Sequence, residues 1–206
     1  SIDKMGRYAY CNQPIITKWN LARLAECLIP LIDTNQNKSI ELATDIINSF
    51  EKKYEEKWME MMRHKLGLSI LDEKDKFLIL DLLTWMHQHK ADYTNTFCYL
   101  MSEKIQNDKV YTDDHFKIWK KRWQERLKKE RNIHDKSIEL MKKNNPIVIP
   151  RNHKIEEVLN AAQEDNLKPY LRLLEILKKP YSSREDLKDY QTLSNSDEKY
   201  KTFCGT

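Results

Sequence analysis

Ten consecutive positions, Phe77 to Met86, carry eight apolar side chains, interrupted only by Asp81 and Thr84. At helical spacing such a segment has almost no wet face, so it belongs at the centre of a fold, packed on several sides. Each of its larger side chains stabilises by roughly 1.5 to 3 kcal/mol when fully buried. Phe77, Leu80, Leu83 and Met86 are the residues expected inside.

Around this segment the chain reads as a succession of helices. Trp19, Leu21, Leu24, Ala25, Leu28 and Leu31 recur at mostly three- and four-residue steps, with Asn12 placed to cap and Pro14 in the first turn. After a polar break at Asp33 to Lys38, Ser39 is expected to cap a long helix closed by Gly67. Ser39 to Leu66 would span roughly 42 Å as one spine. Asp92 reads as the cap of a helix beginning at Tyr93, and Asp113 as the cap of another. In that second helix Phe116, Trp119, Trp123 and Leu127 share a stripe.

Further on, P-I-V-I-P at Pro146 to Pro150 cannot continue a helix, because each proline drives its predecessor toward extended backbone. It is the only strand-like run and reads as a buried link. Ile155, Val158, Leu159 and Ala162 mark one further helix, Leu167 to Leu177 another, and Ser182 with Glu185 has capping-box spacing. The expected fold is all-α, a helical bundle-like domain of about eight helices over 1–190, followed by a polar tail over 191–206.

Composition narrows the chemistry. A length of 206 residues suits one domain or two small ones, and a net charge of +4 announces neither nucleic acid nor membrane. No run approaches the roughly 18 apolar residues of a membrane span. Gly6, Gly67 and Gly205 are the only glycines, so a glycine-rich phosphate loop is excluded. Cys11, Cys27, Cys98 and Cys204 are scattered, without a C-x-x-C, which argues against zinc and against a disulfide framework.

His87 and His89, at i, i+2, point to different faces and read as helix-end residues near the negative dipole, not as metal ligands. Thr94, Asn95 and Thr96 read as first-turn hydrogen bonders. Glu55-Glu56 and Asp113-Asp114 read as solvated faces and caps. Eight Lys or Arg between Lys117 and Arg131 suggest a nucleic-acid face, but the tryptophans among them face the core, so a solvated face is preferred. The residues alone name no catalytic or metal site.

The stretch from Gly6 to Gln13 is less ordinary. It crowds Arg7, Tyr8, Tyr10, Asn12 and Gln13 behind a glycine, ahead of W-N-L-A-R-L-A-E. This G-R-Y-x-Y-x-N-Q-P string closely resembles the selenoprotein O-like (SelO) family. K-L-G-L at Lys65 to Leu68, A-D-Y-T-N-T-F at Ala91 to Phe97, Asn145-Pro146, Arg151-Asn152 and a near-terminal cysteine in T-F-C-G-T continue the resemblance in family order. It therefore covers essentially the whole chain.

Members of that family look like protein kinases and transfer AMP from ATP to protein hydroxyls. The resemblance implies a C-terminal portion of such a pseudokinase, with a kinase-like C-lobe as its context. The family's nucleotide-gripping lysine, Asp-Asn and D-Y-G segments lie ahead of the G-R-Y stretch. ATP and Mg²⁺ are therefore implied for the full-length protein and none for this chain, which is expected to be inactive alone. The implied partners are protein substrates and the upstream kinase-like region, and a bacterial member would be cytoplasmic. Arg7, Tyr8, Asn12 and Gln13 form the candidate substrate-facing segment. Cys204 is the candidate redox cysteine, its implied partner lying outside this chain. A free-standing helical interaction domain and a basic-helix nucleic-acid binder are the alternatives.

Overall fold

The computed structural model describes residues 6–7, 9–102, 108–130 and 134–194. Among these are nine α-helices of ten residues or more, one of four, three short 3-10 turns and no strand. The all-α expectation holds. The chain divides into two units, one running to Glu60 and the other beginning at Met61.

In the first unit, α1 (Gln13–Ile32) packs on α2 (Gln36–Asn48). Pro14 sits in the first turn of α1, as its fixed φ favours. Asn12 occupies the cap position but makes no cap bond; its Nδ2 donates to the Gly6 carbonyl at 2.8 Å instead. The cap of α2 is Asn35, whose side chain accepts from Lys38 N at 3.2 Å. Ser39, expected in that role, is buried one turn further on and exchanges hydrogen bonds with Asp33.

The expected single spine is also two helices. Ser49 separates α2 from α3 (Phe50–Lys65), and its Oγ donates to the Ile46 carbonyl at 2.7 Å, a local bond that competes with the helical ladder. Burial in α1 is limited to Ile16. Trp19, Leu24, Leu28 and Leu31 lie more than two-fifths exposed, although the periodicity reads as a helix built to be buried.

The second unit opens on the last turn of α3. Gly67 ends it with φ +75°, and Leu68 N reaches back to the Arg63 carbonyl at 2.9 Å. A Cβ at Gly67 would meet the Ser137 carbonyl oxygen at 3.0 Å and Met141 Cγ at 3.1 Å, so the site excludes a side chain on two counts.

Next comes α4 (Asp75–Gln88), which buries Leu78, Ile79, Leu82, Trp85 and Met86. Of the four residues expected inside, Met86 is buried and Leu83 half-buried, whereas Phe77 is 70% and Leu80 42% exposed. The reason is one-sided packing. α6 (Asp114–Leu127) packs along one face of α4 and brings Phe116 and Trp119 onto it. Trp119 Nε1 donates to the Leu78 carbonyl at 2.8 Å and Trp123 Nε1 to that of Leu66 at 2.9 Å, so the buried indoles leave no polar atom unpaired. Asp113 caps α6 as the spacing predicts, accepting from Phe116 N at 3.0 Å.

A buried ionic network lies beside these helices. Arg126 holds Asp75 at 2.7 Å and Glu130 at 2.8 Å and donates to the Ile70 carbonyl. Glu130 in turn accepts from Ser69 N and Oγ. The network closes the segment between Gly67 and α4, in which Leu68 is also fully buried.

The remaining elements are α5 (Tyr93–Ser102), α7 (His134–Asn144), α8 (Asn152–Gln163), α9 (Lys168–Leu177) and the short α10 (Lys188–Gln191). Residues 146–150 are the expected extended link, with Val148 packed against Ile176 and Leu187. Ile147 N donates to the Pro180 carbonyl at 2.8 Å. Arg184, and not Ser182, takes the cap position of the 3-10 turn Glu185–Leu187, without a side-chain bond. Tyr8 and Cys204 lie outside the described residues.

Candidate functional site

The lead before α1 folds on itself. Gly6 at φ +67° lets Ala9 N return to its carbonyl at 3.0 Å, and Asn12 Nδ2 takes the same carbonyl. Tyr10 to Asn12 form a 3-10 turn that runs into α1, which places Gln13 at the first helical position. Arg7 and Gln13 are exposed and Asn12 half-buried. Of the candidate segment, only Arg7 offers a charge, and the first turn of α1 carries no acidic residue. The described part of the lead offers amide and guanidinium hydrogen-bonding groups. It lacks the carboxylates that hold Mg²⁺ and the run of backbone amides that cradles phosphates.

A second convergence lies wholly in the other unit, where the strings K-L-G-L, A-D-Y-T-N-T-F, N-P and R-N meet. Arg151 forks onto Asp92, with both N···O distances 2.9 Å, and reaches Asn95 Oδ1 at 3.2 Å. Asp92 still caps α5, accepting from Asn95 N at 2.8 Å, while Thr96 donates to its carbonyl at 2.7 Å. Burial pushes the Asp92 carboxyl up, but Arg151 and the Asn95 N–H outweigh it and hold it below the usual carboxylate range.

Lys65 is buried across from this pair. Its Nζ donates to the Asn144 carbonyl at 3.1 Å and stands 4.8 Å from the centre of the Phe97 ring and 5.4 Å from that of Tyr93. Burial lowers its pKa to about 8. Asn145 ties the same place together, donating to the Lys65 and Met141 carbonyls at 2.9 Å each. Cys98 packs under the Pro146 carbonyl, its thiol pushed up to about 11 chiefly by burial, which makes it an unreactive sulfur at neutral pH.

Spacing along the sequence identified Thr94 to Thr96 as first-turn groups, and that holds. It missed the grip of Arg151 on Asp92 and the burial of Lys65, because both partners come from helices remote in the chain. The available signal was that the four strings meeting here are those that carry the family resemblance. The arrangement fixes α5, the 146–150 link and the end of α3 to one another; no activated nucleophile or open metal position is part of it.

The basic stretch of α6 is largely committed. Lys117 pairs with Asp114, Arg122 with Asp81, Lys128 with Glu125 and Lys129 with Asp72, while Arg126 is buried. Charges neutralised this way do not form a phosphate-tracking face. No helix among the described residues is long and apolar enough to cross a membrane.

Known proteins resemble the chain over its whole length. The family model described as protein adenylyltransferase SelO matches residues 1–178. Proteins named protein nucleotidyltransferase YdiU match the chain from end to end. Identity is 55% for that of Pelagibacter ubique, 46% for that of Alcanivorax borkumensis and 45% for one of Clostridium perfringens. The chain spans 42–43% of the length of these relatives. A family model that covers most of the chain, with relatives of this identity along its whole length, shows that the chain belongs to the SelO family.

Proposed function

We propose that this chain is the helical C-terminal portion of a protein adenylyltransferase. Its catalytic groups lie in an upstream kinase-like region, and α1 and the lead dock against that region and the protein substrate. The observation that carries the reading is the apolar face of α1: Trp19, Leu24, Leu28 and Leu31 remain exposed on a helix whose periodicity demands a partner. Relatives more than twice as long supply chain enough to cover it. In this reading Arg7, Tyr8, Asn12 and Gln13 face the acceptor polypeptide, and Cys204 is the redox-active thiol.

ATP and Mg²⁺ belong to the upstream region. The lead offers one exposed guanidinium and no first-turn carboxylate, so its residues do not fit the nucleotide and metal. The chain alone therefore neither binds Mg-ATP tightly nor transfers AMP. Isothermal titration with Mg-ATP and transfer of radiolabelled AMP to a generic protein, each run on this chain and on the full-length protein, test the assignment. Binding and label confined to the full-length protein are expected. Micromolar binding with label incorporation by the 206-residue chain would overturn it.

A further inference from the structure

We propose that His89, Asp113 and His115 form a binding site for a borderline divalent cation of the Zn²⁺ type, clamping the end of α4 to the start of α6. One ligand atom from each lies within 4.8 Å of the other two. His89 Nε2 stands 3.9 Å from Asp113 Oδ1 and His115 Nδ1 4.0 Å from Asp113 Oδ2. Ligands at about 2.1 Å around a tetrahedral Zn²⁺ lie about 3.4 Å apart, so closure needs shifts of an ångström or so. His115, with its side chain 86% exposed, is free to make them.

Two of the three ligands are already held in place. Asp113 Oδ1 accepts from Trp85 Nε1 at 2.8 Å and from Phe116 N at 3.0 Å. These bonds orient the carboxylate and leave Oδ2 directed to His115. His89 takes the C-cap position of α4, its N–H returning to the Trp85 carbonyl at 3.0 Å. Its ring stacks on the Trp85 indole at 5.2 Å and 24°. One buried tryptophan thus orients both the imidazole and the carboxylate, the outer-sphere support that metal-binding side chains commonly have.

Two imidazoles and a carboxylate suit Zn²⁺ or Ni²⁺ better than Mg²⁺ or Ca²⁺, which prefer all-oxygen sets. Three protein ligands leave the fourth position for water or for a side chain from a partner. The spacing of His87 and His89 gave no hint of this, because the second imidazole comes from a different helix. His87 is no part of the set.

The test is calorimetric titration of the 206-residue chain with Zn²⁺ at pH 7.5, after alkylation of its accessible thiols, alongside His115→Ala, His89→Ala and His87→Ala. The unmodified set of histidines should bind one equivalent that His115→Ala and His89→Ala each weaken about tenfold or more, with His87→Ala unchanged. His115 is exposed, so its removal leaves the fold intact, and circular dichroism of each variant checks this. Co²⁺ substitution should give a visible absorption band that disappears in His115→Ala. Zn²⁺ affinity unaffected by His115→Ala, or no binding by the parent chain, would overturn the proposal.

Discussion

α1 and α4 look alike as sequences and behave differently as helices. α4 buries six residues in fourteen, Asp75 among them; α1 buries one in twenty. The difference comes from what each is given to pack against. α4 receives the aromatic face of α6, where Phe116 lies 4.5 Å from the Trp85 ring and 5.8 Å from that of Trp119. α1 receives α2, whose own buried residues are the small Ser39 and Ala43. Apolar periodicity states that a helix wants a partner, but whether that partner is present depends on the rest of the chain.

The comparison predicts an unequal response to mutation, largest in the second unit. Phe116→Ala should destabilise it by about 3 to 5 kcal/mol, read from urea unfolding followed by tryptophan fluorescence. Arg126→Ala should cost about 3 to 5 kcal/mol as well, since it strands the buried carboxylates of Asp75 and Glu130. Replacing the surface pair partner Arg122 by Ala should change stability by less than about 1 kcal/mol. Equal losses at Arg126 and Arg122 would show that burial of the network is not what makes it matter.

Lys65 offers a smaller effect with a defined sign. Its folded pKa, about 8, lies below the ordinary 10.5, so between these values the unfolded chain binds the extra proton. This group therefore makes stability rise with pH from about 8 to 10.5, and Lys65→Met lacks the rise. Unfolding free energies of the two proteins, measured at intervals across that window, should diverge in favour of the parent chain. A constant difference would mean that Lys65 is not desolvated. Smallest of all, Leu31→Ser in α1 should change stability by within about 0.5 kcal/mol, because that side chain is 80% exposed.

Helix identity and most stops were legible from sequence because they rest on local chemistry. Gly67, Asp92, Asp113 and the prolines of the 146–150 link act on neighbouring backbone, and the structure keeps all of them in role. What was not legible depends on distant partners. The face of α4 that turns inward is chosen by α6, so Leu78 and Leu82 are buried where Phe77 and Leu80 were expected. Asn12 and Ser39 have the chemistry of caps but found other carbonyls within reach. Neither Arg126 nor Arg151 advertises its ion pair, since a charged side chain reads as solvated until its carboxylates are placed. For the lead, spacing exposed the unusual cluster of hydrogen-bonding groups; the return of Asn12 to Gly6 needed the positive φ of that glycine.

The contrast between the helices leads to one decisive measurement, amide hydrogen exchange across Ala22 to Leu28 in this chain and in the full-length protein. If the exposed face of α1 is built for the upstream region, these amides should exchange at least about 100-fold more slowly in the full-length protein, with those around Leu82 in α4 protected in both. Equal exchange of α1 in the two proteins would contradict the account, because the apolar face would then have no partner in the place assigned to it.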